Sequence, residues 1–226
     1  ESSLNFPEFK FPFLTQAFKQ RIRATSEVGL KFNSQLRPEF TRTLASASWS
    51  YRWTDKLRSQ HRFDLLDINY IYVPWKSNMF KQYLENLTDR NSILIKSYED
   101  QLIVRTGYTY TYNSAGNIKN TSRNSFTIRF NVEESGNLLN VASKLLHLKS
   151  NGENEYEIAN IPFAQYVKGD FDFAQIIRID NRNSLAFHVG MGIAYPYGNS
   201  KALPFEKRYF SGGPNSVRGW SVRSLG

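Results

Sequence analysis

Val167-Lys168-Gly169-Asp170-Phe171-Asp172-Phe173 and Leu185-Ala186-Phe187-His188-Val189-Gly190-Met191-Gly192-Ile193-Ala194-Tyr195 change character at nearly every residue. Successive residues of a strand point to opposite faces, so this period describes strands with one apolar and one polar side. Phe163, Val167, Gly169, Phe171, Phe173, Ile177 and Ile179 are predicted on one side, against Lys168, Asp170, Asp172 and Arg178. In the second segment Leu185, Phe187, Val189, Met191, Ile193 and Tyr195 oppose Ser184, Ala186, His188, Gly190, Gly192 and Ala194. Asp180-Asn181-Arg182-Asn183 between them is turn chemistry, and the pair reads as an antiparallel hairpin.

The same period runs upstream. Leu102, Val104, Thr106, Tyr108, Tyr110 and Tyr112 oppose Ile103, Arg105, Gly107, Thr109 and Thr111. Phe126, Ile128, Phe130 and Val132 oppose Arg123, Ser125, Thr127, Arg129 and Asn131, and the stretch from Asn113 to Asn117 joins these two segments as a hairpin. Earlier, Val28, Leu30 and Phe32 oppose Glu27, Lys31 and Asn33. Ala45, Ala47, Trp49, Tyr51 and Trp53 oppose Ser46, Ser48, Ser50 and Arg52, and Leu66, Ile68, Tyr70 and Tyr72 oppose Asp67 and Asn69. About seven strands result. Residues 76–95 and 136–149 have helical spacing and predict short helices within longer loops. Short turns at 54–59, 113–120 and 180–183, with longer connections between them, follow the outer-membrane barrel habit of short periplasmic turns and long external loops.

Two architectures alternate in this way. A soluble sandwich or lipocalin-like barrel turns its apolar rows inward, whereas a membrane barrel turns them to lipid. The length of the segments and the load of Phe, Tyr and Trp, concentrated near strand ends as in Trp49-Ser50-Tyr51-Arg52-Trp53, favour the second. Apolar rows are therefore expected to face outward and polar rows to enclose an aqueous lumen.

Composition agrees by exclusion. In 226 residues no stretch approaches the roughly 18 apolar residues of a transmembrane helix, and mean hydropathy, −0.51, is blind to strands that show lipid only every second residue. The absence of cysteine removes disulfides, thiolate metal sites and cysteine nucleophiles. The net charge of +9 is spread along the chain rather than gathered in a block, which argues against nucleic acid as a partner. His61, His147 and His188 have neither metal-ligand spacing nor a neighbouring nucleophile motif, so no cofactor, no metal and no enzymatic chemistry are expected. The opening Glu1-Ser2-Ser3 lacks an initiating Met and a signal segment, and the sequence reads as part of something longer.

After the last strand, residues 196–226 carry Tyr209-Phe210, then Gly212-Gly213, then Val217-Arg218-Gly219-Trp220. In this order an aromatic pair, a Gly-Gly step and a Val-Arg-Gly-aromatic tetrapeptide resemble the signature of the BamA and TamA proteins, the surface-antigen family of barrel insertases. Ile161 to Asp170 and Arg37-Pro38-Glu39-Phe40-Thr41-Arg42-Thr43 are similar to barrel segments of the same family. The resemblance implies that residues 1–226 are part of an outer-membrane β-barrel domain, about seven antiparallel strands of a roughly sixteen-stranded all-β barrel. It also implies that residues 196–226 form a loop folded into the lumen.

Gly212, Gly213 and Gly219 would permit tight or left-handed turns there. Arg218 would place a planar, permanently charged fork inside the barrel, where it needs carboxylate partners. The resemblance puts those carboxylates on strands that follow the loop. Asp170 and Asp172 also face the expected lumen and either contribute to that clamp or pair locally with Lys168, Arg129 or Arg178, while Gly190 and Gly192 leave room for the loop.

The function the resemblance implies is insertion or translocation of β-barrel and surface proteins at the bacterial outer membrane. Its partners would be outer-membrane lipids, unfolded barrel or secreted clients, and periplasmic or lipoprotein accessory subunits. A two-partner-secretion pore and a plain porin or structural surface antigen are the alternatives.

Overall fold

A computed structural model describes residues 2–10, 15, 19, 22, 24–55, 58–86, 98–115, 124–147, 150–151, 155–180, 182–214 and 217–220. Its main feature is one open antiparallel sheet. The strands are β1 (Ser2–Phe6), β2 (Thr25–Leu36), β3 (Phe40–Asp55), β4 (Ser59–Lys76), β5 (Gln101–Asn113), β6 (Asn124–Ser135), β9 (Tyr166–Arg178) and β10 (Ser184–Pro196). Between β6 and β9 lies a separate two-stranded hairpin, β7 (Glu157–Ile158) with β8 (Ile161–Pro162). The eight strands of the sheet pair in chain order, an up-and-down meander with β1 and β10 at its edges.

Each of the seven alternating segments is a strand of this sheet. The eighth strand, β1, has only five residues, too few for a period to emerge. Strands of 12–13 residues are about 40 Å long and, tilted near 45°, cross about 30 Å, the thickness of a bilayer's hydrocarbon core.

The register assigns the faces. Asp67 pairs with Arg105 and Asn69 with Ile103 on the inner side, while Ile68 pairs with Val104 and Tyr70 with Leu102 on the outer side. A register shift between Asp64 and Asp67 then inserts an extra residue in β4, so the outward residues become Phe63 and His61 below it. The alternation beginning at Leu66 does not continue backward for this reason. Leu30, Phe32, Met191 and Ile193 on the outer rows are exposed, Ile193 by 76%. The inner rows carry hydrogen-bonded Ser46, Asn69, Thr109 and Asn131.

Some expectations need correction. Phe163 does not belong to the outward row of β9: it is buried and forms an isolated bridge to Leu102, because Ala164 and Gln165 leave strand geometry and break the phase. The β2–β3 connection, Arg37 to Glu39, is three residues long although it lies at the long-loop end. The helices are α1 (Asn78–Asn86) and α2 (Asn137–Leu145), shorter than the predicted spans. Residues 87–95 and 148–149 of those spans, Arg123, residues 116–120 of one turn and Asn181 of another lie outside the described residues.

At the long-loop end, Ile71, Val73, Ile103, Ala164 and Tyr166 form a small apolar cluster. Above it two buried amides weld three loops together. Gln165 accepts from the Asn199 and Asn140 amides and donates to Asn137, and Asn199 donates to Tyr156 O and Phe163 O while accepting from Tyr156 N. Asn199→Ala strands several of these backbone groups, each worth about 1–3 kcal/mol when left unpaired. The expected result is faster amide exchange at Tyr156 and its neighbours with strand protection intact; unchanged exchange there would show that the weld is not formed.

Candidate functional site

The polar face predicted from alternation becomes a charge network once the strands are in register. Arg105, on the inner row of β5, donates from Nε to Asp67 Oδ2 at 2.6 Å, from Nη1 to Glu133 Oε2 at 2.5 Å and from Nη2 to Asp64 Oδ2 at 3.3 Å. Arg62 reaches the other oxygen of Asp64 at 2.7 Å, and buried Tyr166 donates its hydroxyl to Glu133. A guanidinium can serve three carboxylates because its donors form a planar fork.

The chain leaving β10 folds back over this face. Pro204 starts a single 3-10 turn, Phe205–Lys207, closed by Lys207 N donating to Pro204 O. The turn presents two opposite charges to two different strands. Glu206 pairs with Arg42 on β3, and Lys207 Nζ lies 3.2 Å from Glu133 Oε1 on β6. Burial and the nearby Arg105 push the Lys207 ammonium below its usual range, against the pull of Glu133.

Tyr209 makes the third attachment. Its hydroxyl donates to Asp170 Oδ1 at 2.5 Å and lies 3.1 Å from Gly169 O, while Lys168 Nζ sits 4.3 Å from the ring centroid. Desolvation of the hydroxyl, then its hydrogen bond to the Asp170 carboxylate and that carboxylate's charge, hold the phenol above its ordinary pKa. The ring lies on Gly192, where a Cβ would come within 2.4 Å of Tyr209 Cζ and Oη. Gly192 therefore leaves room for the loop, while Gly190 faces Asp172 and His188 instead.

The signature residues sit beyond these attachments. Gly212 and Gly213 both adopt left-handed backbone, φ +96° and +92°, and are buried; Gly219 is not left-handed and is exposed. Gly213 N donates to Trp220 O and Trp220 N to Val217 O, so the segment closes on itself. Phe210, Val217 and Trp220 are exposed. Arg218 donates to Pro214 O at 3.2 Å, and among the described residues it makes no ion pair. Within the described residues the loop is fastened to this stretch of wall by Glu206, Lys207 and Tyr209.

Of the two aspartates expected to face a lumen, Asp170 takes Tyr209 and Asn131, with Lys168 at 3.8 Å, and Asp172 takes His188 at 3.0 Å. Arg129 is opposite Asp172 in register, but no ion pair joins them among the described residues. Sequence reasoning missed Arg42, Glu133, Glu206 and Lys207 as attachment residues. The available signal was an adjacent Glu-Lys pair in the middle of a glycine-rich loop, with charges on the polar parity of three strands.

Lys207→Met tests the middle attachment, since Glu133 would keep only Arg105 and Tyr166. The turn is expected to loosen, with amide exchange at Lys207 and Tyr209 accelerated about tenfold, the equivalent of roughly 1.4 kcal/mol. Unchanged exchange would mean that the contact carries no load.

A family model described as the Omp85 superfamily domain matches residues 7–226. Comparison with curated proteins gives no match.

Proposed function

The chain belongs to the Omp85 superfamily, whose members insert or translocate proteins at the bacterial outer membrane, and from that premise we propose that it is part of an assembly factor for β-barrel and surface proteins. In this reading the sheet from β1 to β10 is a stretch of barrel wall, and residues 197–214 belong to a brace inside it. The observation that carries the proposal is the triple attachment of one loop to β3, β6 and β9 through Glu206, Lys207 and Tyr209. A brace of this kind keeps the wall in shape while a seam elsewhere opens to template a client strand, a step in which unpaired backbone in lipid would otherwise be costly. It also obstructs the inner face, which favours insertion at the wall over conduction of an unfolded chain through an open lumen. Clients, lipids and accessory subunits are the partners this role requires, and no covalent step enters it.

The role is tested in cells by depleting the full-length protein and supplying it with Arg218→Ala or with Glu206→Ala and Tyr209→Phe combined. Barrel proteins in the outer membrane are expected to fall in both cases. Loss of a single secreted substrate with barrel levels steady would favour a secretion pore, and a change confined to small-solute permeability would favour a porin.

A further inference from the structure

Helix α2 is turned inside out. It buries Ser143 and points Asn140 at Gln165, whereas Leu138, Val141 and Leu145 are 59%, 58% and 73% exposed. These three lie at i, i+3 and i+7, one stripe along the helix. A loop helix held by apolar burial would adopt the opposite rotation.

Polar contacts fix the rotation. Gly136, which precedes the helix, is left-handed, and a Cβ there would meet Ala164 O at 2.4 Å. Asn137 N donates to Glu134, and Asn137 Oδ1 accepts from Gln165 Nε2 at 2.8 Å and from the Tyr197 hydroxyl at 3.0 Å. Rolling the leucines inward would break these bonds and leave the Gln165 amide buried without them.

The position of α2 says what covers the stripe. One residue, Gly136, separates it from β6, whose outward Phe130 and Val132 are exposed. Tyr197, which holds its first residue, comes two residues after outward, exposed Tyr195 on β10. The helix thus stands at the outer rim of the wall, where the apolar rows of β6, β9 and β10 end. We infer that α2 is an interfacial helix whose Leu138-Val141-Leu145 stripe enters the acyl region of the leaflet at the long-loop end. Exposed Lys144 on its flank lies at the level of the headgroup phosphates. The inference depends on the lipid-facing wall and not on what the barrel transports. Such a helix would hold this rim of the barrel to the membrane, next to the loops that Gln165 and Asn199 join.

This sequence has no cysteine, so one thiol introduced here, with any cysteine elsewhere in the full-length protein replaced by serine, is a single label site. Val141→Cys and Leu145→Cys, each carrying an environment-sensitive fluorophore, are placed in the full-length protein reconstituted in phosphatidylethanolamine–phosphatidylglycerol vesicles. Arg182→Cys in the exposed short turn serves as the aqueous reference. Emission at positions 141 and 145 is expected to be blue-shifted, and quenching by headgroup-proximal nitroxide lipids should exceed that at position 182 by at least about threefold, as for a helix buried several ångströms into the interface. Iodide quenching at 141 and 145 equal to that at 182 would overturn the inference by placing the stripe in water. Shielding from both quenchers would also overturn it, because the stripe would then be covered by protein, such as a second copy.

Discussion

Arg105→Met is expected to destabilise the barrel by about 3–5 kcal/mol, the scale for removing one partner from a buried ion-pair network. Arg105 is 17% exposed and Glu133 4%, so little water is available to replace what is lost. Methionine preserves the apolar stem but leaves Asp64, Asp67 and Glu133 with Arg62 and Lys207 as the remaining paired cations. Arg105→Lys keeps the charge and is expected to recover only part of the loss, since an ammonium on a flexible stem does not match the three-way fork geometry. The urea midpoint of the full-length protein in micelles measures both, and the Arg105→Met and Glu133→Gln pair, combined in a cycle, should couple strongly. A midpoint unmoved by Arg105→Met would mean that the network is not formed in the membrane-embedded protein.

Gly192→Val is expected to release the loop without unfolding the wall. The added Cβ would overlap the Tyr209 ring, and the nearest atoms belong to the far end of that side chain, so the ring moves and the strand does not. Tyr209 then loses a charge-assisted hydrogen bond to Asp170, worth about 1.5–3 kcal/mol, which shifts the docked population by roughly ten- to a hundredfold. Gly190→Val is the control, because its Cβ meets the ends of Asp172 and His188 and does not touch the loop. Limited proteolysis of residues 201–214 should accelerate in Gly192→Val and not in Gly190→Val, and client-barrel insertion into vesicles should fall in parallel. Equal proteolysis in the two variants would remove Gly192 from any role in seating the loop.

Much of the wall was legible in advance because a two-residue period is a local property. Seven strands and the outward rows ending in Tyr112, Val132 and Tyr195 follow from it directly. It failed where the backbone leaves strand geometry: at the register shift between Asp64 and Asp67, and at Ala164 and Gln165, which carry Phe163 into the interior. The loop was legible as a motif. Of the residues fastening it, Tyr209 belongs to that motif, whereas Glu206 and Lys207 do not, and nothing in the local sequence marks a loop charge as paired.

The sequence by itself determined an all-β wall with one greasy and one polar face and a glycine-rich loop after the last strand, and it offered Gly190 and Gly192 alike as space for that loop, of which the structure uses Gly192. Only the tertiary structure decided which charges meet. Parity says that Arg42, Arg105, Glu133 and Asp170 share a face, but strand register, set by bulges and turns, decides that Arg105 lies among three carboxylates and that Glu206, Lys207 and Tyr209 reach β3, β6 and β9. Side-chain direction is fixed within a few residues of chain; a partner on another strand is fixed by how every strand between them is aligned.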